Sequence, residues 1–110
     1  MASRAGTVAY LTDQMAGAGE VSARKMFGEH GVYVNGKLSA LVCDDRLFVK
    51  PTQAAEAMLP EAEHAPPYPG AKPQPVVPEE RWDDADWMAE LMARTSAALP
   101  APKPKTRKKA

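Results

Sequence analysis

Residues 32–50, VYVNGKLSALVCDDRLFVK, decide the fold of this chain. The pair Asn35-Gly36 lies between two runs of β-forming side chains, and both residues tolerate the positive φ angles of a type I′ turn. Asp44-Asp45 interrupts the next apolar run and predicts a second tight turn. The stretch therefore predicts three consecutive antiparallel strands, Val32–Val34, Lys37–Cys43 and Arg46–Lys50.

The residues before this stretch extend the sheet and supply a helix. Val21–Phe27 is predicted as a first strand, and Gly28–Gly31 as the turn after it, because glycine reaches φ angles closed to other residues. Further upstream, Val8, Leu11 and Met15 recur at the spacing of one helical face, which predicts an amphipathic helix over residues 4–16 with Ser3 as its N-cap.

After the four predicted strands, prolines restrict the conformations that the backbone can adopt. Pro51 ends the fourth strand, and Thr52 is placed to cap a short helix that runs to about Leu59. Residues 60–78 contain seven prolines, which exclude a regular helix. We expect an extended crossing there, with residues 74–77 forming at most a short edge strand.

A last helix is predicted from Asp83, its expected N-cap, to Pro100, which ends it. Trp87 lies at helical spacing with Leu91 and is expected in the core. Trp82 precedes the helix, where it can pack against the helix entry or lie exposed as a partner anchor, and we favour the packed position.

The resulting order is α-β-β-β-β-α-(β)-α, an α+β fold. An antiparallel β-meander would be covered on one face by the helices and would leave a polar face on the other side. The length of 110 residues fits one domain, predicted over residues 1–99, followed by a disordered basic Pro/Lys-rich tail over residues 100–110.

Composition sets further expectations. The single Cys43 cannot close an intrachain disulfide, and no signal peptide or membrane-length apolar run is visible, so a cytoplasmic location is expected. The net charge of zero conceals an asymmetry. Residues 1–100 hold nine Lys/Arg against fourteen Asp/Glu, a net −5, whereas residues 101–110 hold five Lys/Arg and no acid.

The run from Ala23 to Lys50 resembles the N-terminal domain of the bacterial TfoX (Sxy) competence-regulator family. The resemblance is carried by Arg24-Lys25-Met26-Phe27-Gly28, by the Gly-Val-Tyr strand that follows, and by the apolar strands ending at Lys50. It implies a transcriptional co-regulator that acts with the cAMP receptor protein. The regulators of that family have a second, helical domain that this sequence does not contain, so a stand-alone N-domain homologue is expected.

The segment typical of the family also supplies a candidate partner surface. It comprises Arg24, Lys25, Phe27, Gly28, Glu29, His30, Gly31, Arg46 and Lys50. Together with Lys37, the cations of this set are candidates for a basic patch that binds phosphate or an acidic partner. The alternative is a solvated sheet face whose edge lysines discourage aggregation, with the glycines serving only the backbone.

No pattern in the sequence predicts an enzyme. Cys43 has no second cysteine nearby and is expected as a buried, inert thiol. His30 and His64 are outside any metal-ligand spacing, and no Gly-rich phosphate loop or nucleophile elbow occurs. We expect no catalytic residue, cofactor or metal. A cleft beside the meander using Glu29, His30 or Asp45 is the least favoured hypothesis.

Two functional hypotheses remain. The first is a regulatory module that binds a protein partner, such as a transcription regulator, or a second copy of itself. The alternative is a nucleic-acid-associated accessory protein whose tail neutralises phosphates. The tail cations are Lys103, Lys105, Arg107, Lys108 and Lys109.

Overall fold

The computed structural model describes residues 5–26 and 29–100. These residues form three α-helices and six strands in the predicted order, with one short strand, His64–Ala65, that was not predicted. The helices are α1 (Ala5–Gln14), α2 (Gln53–Met58) and α3 (Ala85–Ala98), with short 3₁₀ turns at Ala16–Ala18 and Glu79–Arg81. The strands are β1 (Val21–Met26), β2 (Glu29–Val34), β3 (Lys37–Cys43), β4 (Arg46–Val49), β5 (His64–Ala65) and β6 (Gln74–Val77).

The strands form one antiparallel sheet in the order β1-β2-β3-β4-β6-β5. Both predicted tight turns are confirmed. Asn35 and Gly36 have φ angles of 52° and 83°, and Asp44 and Asp45 have 55° and 57°. Asparagine and aspartate tolerate this left-handed region better than most residues, which explains their use in turns that need two positive φ angles.

One face of the sheet is covered by the helices, as predicted. Val8, Leu11 and Met15, the periodic residues around α1, are buried there. The main core combines them with apolar residues from α3 and from the strands. Its further members include Val32, Val34, Ala40, Val42, Leu47, Val49, Val77, Met88, Leu91 and Met92.

The expectation of a polar second face is wrong. On the face away from the helices, Leu41, Cys43 and Phe48 form a separate buried cluster. Pro67 of the proline-rich segment is also buried, and it lines a cleft together with Cys43. Pro67 therefore lies close to this face of the sheet, and the central part of the helix-free face becomes a second, smaller core.

The predicted turn over residues 28–31 is wrong for residues 29–31. Glu29 pairs with Met26, so β2 already begins at Glu29. Gly31 is a buried strand residue that pairs with Arg24 on one side and Leu41 on the other. Gly31 is therefore part of the sheet and not of a chain reversal.

The proposed edge strand over residues 74–77 exists, but it does not lie at the edge. β6 pairs with β4 at Val76 and Val77, and β5 covers its other side. The amide of Val76 donates to the carbonyl oxygen of Glu63 at 2.8 Å. Pairing with β4 stops at Pro75, which has no N–H to donate.

The N-cap of α3 is Asp84, and the prediction of Asp83 is wrong by one residue. A side-chain oxygen of Asp84 accepts the amide of Trp87 at 3.1 Å. Asp83 instead accepts the hydroxyl of Tyr10, which ties α1 to the segment before α3. The predicted cap of α2 is confirmed, because the Thr52 side chain accepts the amide of Ala55 at 3.1 Å.

The two tryptophans differ from each other in their burial. Trp82 is in the core at the entry to α3, as favoured, and its indole N–H donates to the carbonyl of Val77 at 3.3 Å. Trp87, predicted as core, is only half-buried, with the Arg81 guanidinium 4.8 Å from its ring centroid. Because α3 begins at Ala85, its inward stripe falls on Met88 and the residues beyond.

Several predictions fall outside the described residues: the Ser3 cap, the placement of Phe27 and Gly28, and the tail after Pro100. Within residues 5–26 and 29–100, none of the helices is long and apolar enough to cross a bilayer.

Candidate functional site

The free side of β1 is an open strand edge. Among the residues that the structure describes, β1 lies at the end of the sheet and pairs only with β2. The amide of Asn35 donates to the carbonyl of Glu20 at 2.8 Å, and this bond fixes the alternation along the strand. In an antiparallel pair every second residue turns both backbone groups toward its neighbour. Residues 22, 24 and 26 therefore bond β2, and Val21, Ala23 and Lys25 turn their N–H and C=O groups outward.

Two cations stand on this β1 edge. Arg24 and Lys25 are both exposed. Because neighbouring strand residues point to opposite faces, one cation lies on each side of the strand. Arg24 extends over the helix-free face, where its guanidinium lies 5.4 Å from the ring centroid of Tyr33. The strand, Val-Ser-Ala-Arg-Lys-Met, contains no acidic residue.

The remaining cations of the predicted patch are divided between the two faces. Arg46 lies on the helix-free face, paired with Glu63 at 3.0 Å and 5.3 Å from the ring centroid of Phe48. Lys50 follows β4 and, by alternation from Phe48, belongs to the same face. Lys37 points to the helix side, where its ammonium bonds the end of α3. The cations therefore do not converge on one phosphate-sized site.

Glu29 and His30 stand at the start of β2 and point to opposite faces, because they are consecutive strand residues. A carboxylate oxygen of Glu29 accepts the amide of Asp44 at 2.9 Å, so it braces the turn before β4. His30 is half-buried, and its Nδ1 atom is buried with no hydrogen-bond partner among the described residues. Phe27 and Gly28 of the predicted surface lie outside the described residues.

The chemistry around Cys43 does not favour a nucleophile. Its side chain is 4% exposed, and burial, reinforced by the carboxylates of Glu29 and Asp44, raises the pKa of the thiol to about 11. A thiolate is needed for nucleophilic attack, and this environment disfavours it. In the described part of the chain, no group of three or more His, Cys, Asp or Glu residues could hold a metal ion.

The least favoured hypothesis placed Glu29, His30 and Asp45 in one cleft. Glu29 does line a cleft of about 510 Å³ with Asp44, Cys43 and the segment Pro66–Pro69. His30 projects from the other face of the sheet. The three side chains are therefore not brought together as an acid–base set.

The sequence interpretation missed the outward backbone groups of Val21, Ala23 and Lys25. No side-chain pattern marks them, since what counts is which strand lies last in the sheet. One indication was available. The first strand of a meander has a neighbour on one side only unless another segment returns to cover it.

These features define an α+β module with an open sheet edge. The TfoX N-terminal domain model matches residues 13–99, and the chain belongs to that family. It is also 38% identical over 108 residues to the "Uncharacterized 12.7 kDa protein in trpE 5′region" of Spirochaeta aurantia. This alignment spans 98% of the chain and 93% of the relative.

Proposed function

We propose that this protein is a non-enzymatic binding module that takes an acidic, extended segment of a partner protein onto the β1 edge. The observation that carries the proposal is the six-residue strand β1, whose outward backbone groups at Val21, Ala23 and Lys25 have no neighbouring strand within residues 5–26 and 29–100. A peptide that adds to a sheet edge gains main-chain hydrogen bonds from such groups.

The charges beside the β1 edge determine which kind of partner peptide it would favour. Arg24 and Lys25 flank the edge on its two faces, so a strand laid along β1 would have a cation beside it above and below the sheet plane. Opposite charges on neighbouring strands are favourable, and like charges directly opposite each other are not. A partner strand with carboxylates on both faces fits this edge.

A second copy of the chain fits less well. Pairing β1 with β1 of another molecule would bring four cations into two adjacent strands, and neither strand contains an acid. Charged residues on an edge are a common protection against such self-pairing. A regulatory role through a transcription factor is in keeping with the family, and the acidic segment is then expected on that factor.

Binding rather than catalysis is also favoured by the titratable side chains. The Cys43 thiol has a pKa of about 11, and Glu29 and His30 face opposite sides of the sheet. Catalysis by a nucleophile or an acid–base pair needs these groups side by side and near neutrality.

The test uses anisotropy at low salt and a fluorescein-labelled valine–glutamate peptide with the repeat Val-Val-Glu-Glu, which places carboxylates on both faces of an extended strand. The wild-type chain is expected to bind this peptide and not to bind the matched peptide in which lysine replaces every glutamate. Ala23→Pro removes one outward N–H without taking a bond from β2, and we expect at least a tenfold loss of affinity. Lys25→Gln should weaken binding roughly threefold through one lost charge.

The matched control is Lys72→Gln, an equal charge change in the segment before β6, at the opposite side of the sheet. It should leave the affinity for the acidic peptide unchanged. Two outcomes would contradict the proposal: equal binding of both peptides, or binding that survives Ala23→Pro. A concentration-dependent dimer in light scattering that Ala23→Pro abolishes would show instead that β1 pairs with a second copy.

A further inference from the structure

The two ends of the β1 edge differ in charge. Glu20, the residue just before β1, is exposed, and its carbonyl oxygen accepts the amide of Asn35 at 2.8 Å, so it continues the pairing with the hairpin. Arg24 and Lys25 are exposed near the other end of the strand. At about 3.4 Å per residue, the acid and the first cation stand roughly 14 Å apart along the edge. The edge is therefore negative where it begins and positive where it ends.

The side chains of β1 also differ between the two faces of the sheet. Val21 and Ala23 pack against the main core on the helix side, and both remain only half-buried at this end of the sheet. Ser22 and Arg24, which alternate with them, point to the helix-free face. Side chains directly opposite each other on neighbouring strands share a face and interact. An apolar side chain opposite Val21 or Ala23 would therefore extend the main core, whereas one opposite Ser22 would meet a hydroxyl group.

We propose that the partner segment on the β1 edge has a fixed order of side chains: acidic, acidic, apolar, hydroxyl, apolar, basic. The inference rests on the function proposed above and adds a register and a direction to it. Each position then forms a favourable cross-strand pair, either of opposite charges, of apolar groups or of hydroxyls. In sequence, the six positions lie opposite Lys25, Arg24, Ala23, Ser22, Val21 and Glu20.

The partner segment runs antiparallel to β1. Every strand pair of the sheet is antiparallel, and antiparallel pairing is slightly more stable per residue than parallel pairing. Because the cations of β1 lie near its C-terminal end, the two acids come first in the partner, and the base comes last. The same side chains in the reverse order would reach these pairs only as a parallel strand.

The experiment measures binding of the full chain to fluorescein-labelled peptides by anisotropy at low salt. The probe is Glu-Glu-Val-Thr-Val-Lys, with blocked ends and a Gly-Ser spacer on each side. The reversed peptide, Lys-Val-Thr-Val-Glu-Glu, has the same composition and should bind at least roughly threefold more weakly. Lys-Glu-Val-Thr-Val-Glu brings like charges together at both ends and should bind roughly tenfold more weakly. Replacing both valines with threonine removes apolar burial and should also weaken binding roughly tenfold.

Glu20→Lys tests the register from the side of the protein. Glu20 is exposed and bonds Asn35 through its backbone amide and carbonyl, so the substitution keeps the start of β1 in place. It should weaken binding of the probe roughly threefold and strengthen binding of Glu-Glu-Val-Thr-Val-Glu by about the same factor. The matched control is Glu61→Lys, the same charge change in the loop between α2 and β5, beside the opposite edge of the sheet. It should leave both affinities unchanged.

The possible outcomes separate this inference from the proposed function. If none of the peptides binds, including the Val-Val-Glu-Glu repeat, both are refuted. If all of them bind with equal affinity and Ala23→Pro abolishes the binding, the edge accepts acidic segments without this order, and only the present inference is refuted. Tighter binding of the reversed peptide refutes the antiparallel direction. A response to Glu20→Lys that matches the response to Glu61→Lys refutes the register.

Discussion

The two edges of the sheet are built in opposite ways. β5, at one edge, has two residues and is followed at once by Pro66 and Pro67. Glu63, just before it, pairs with Arg46, and His64 within it contacts the Glu56 carboxylate. β1, at the other edge, has six residues and no proline. Natural proteins close an edge with short strands and prolines where pairing is unwanted. The contrast favours β1 over β5 as the edge to which we propose a partner strand adds.

The largest expected effect is on the alkylation rate of Cys43. It tests whether the helix-free face near β5 is closed to reagents in solution. Cys43 is buried beside the cleft that Pro66–Pro69 also line. Its pKa of about 11, instead of the ordinary 9.0, lowers the thiolate fraction about 100-fold at pH 8. Alkylation by iodoacetamide should be at least that much slower in the native chain than in urea.

The pH dependence has a defined sign. Because the folded-state pKa is raised, the native rate should keep rising with pH toward 11, whereas the unfolded rate levels off near 9. The same shift makes folding less favourable as pH rises from 9 to 11. Fast native alkylation at pH 8 would show that the helix-free face is open.

The next prediction separates the two sides of β1. Arg24→Pro removes an N–H that bonds β2 and leaves the carbonyl of buried Gly31 without its donor. We expect a loss of about 1–3 kcal/mol in the free energy of unfolding, measured in urea. Ala23→Pro removes only an outward N–H and should change stability by less than about 1 kcal/mol. Equal losses would mean that the alternation along β1 is assigned incorrectly.

A smaller effect is expected where β1 is joined to the hairpin. Asn35 has a φ of 52°, and its side-chain oxygen accepts the amide of Glu20, the residue before β1. Asn35→Ala loses this bond and strains the turn, at a cost of about 1–2 kcal/mol in urea unfolding. Asn35→Gly, which keeps the turn geometry, should recover part of that loss. If the glycine variant is no more stable than the alanine variant, the turn is not the cause.

The smallest effect is expected at the closed edge. His64 lies 2.9 Å from a carboxylate oxygen of Glu56, and both side chains are about 40% exposed. Exposed ion pairs contribute little, so Glu56→Gln should lower stability by at most about 0.5 kcal/mol at pH 6. A loss above 1 kcal/mol would show that the pair, and not the prolines, secures β5.

The sequence predicted most of this fold because its decisive residues act locally. Asn35-Gly36 and Asp44-Asp45 define turns through their own φ preferences, and Thr52 caps the helix that follows it. The second core was missed, although Ala40–Cys43 is an unbroken apolar run. Such a run is typical of a strand buried on both faces, and Pro67, which lies close to this face, is more than twenty residues further along the chain.

The candidate site was harder to predict than the fold. Sequence analysis identified Arg24 and Lys25 from their charge, but it grouped them with Arg46 and Lys50, which lie on other strands or beyond them. Whether Val21 and Ala23 expose their backbone depends on the order of strands in the sheet and on the phase of hydrogen bonding. Both are properties of the assembled sheet, which side-chain patterns do not encode.

The most direct test of the account is a two-dimensional ¹⁵N NMR titration of the full chain with the valine–glutamate peptide. The account predicts that the amides of Val21, Ala23 and Lys25 shift strongly and gain protection from exchange, while those of Ser22 and Arg24, already bonded to β2, shift less. Changes confined to another surface, or spread equally over all five amides, would contradict strand addition at the β1 edge.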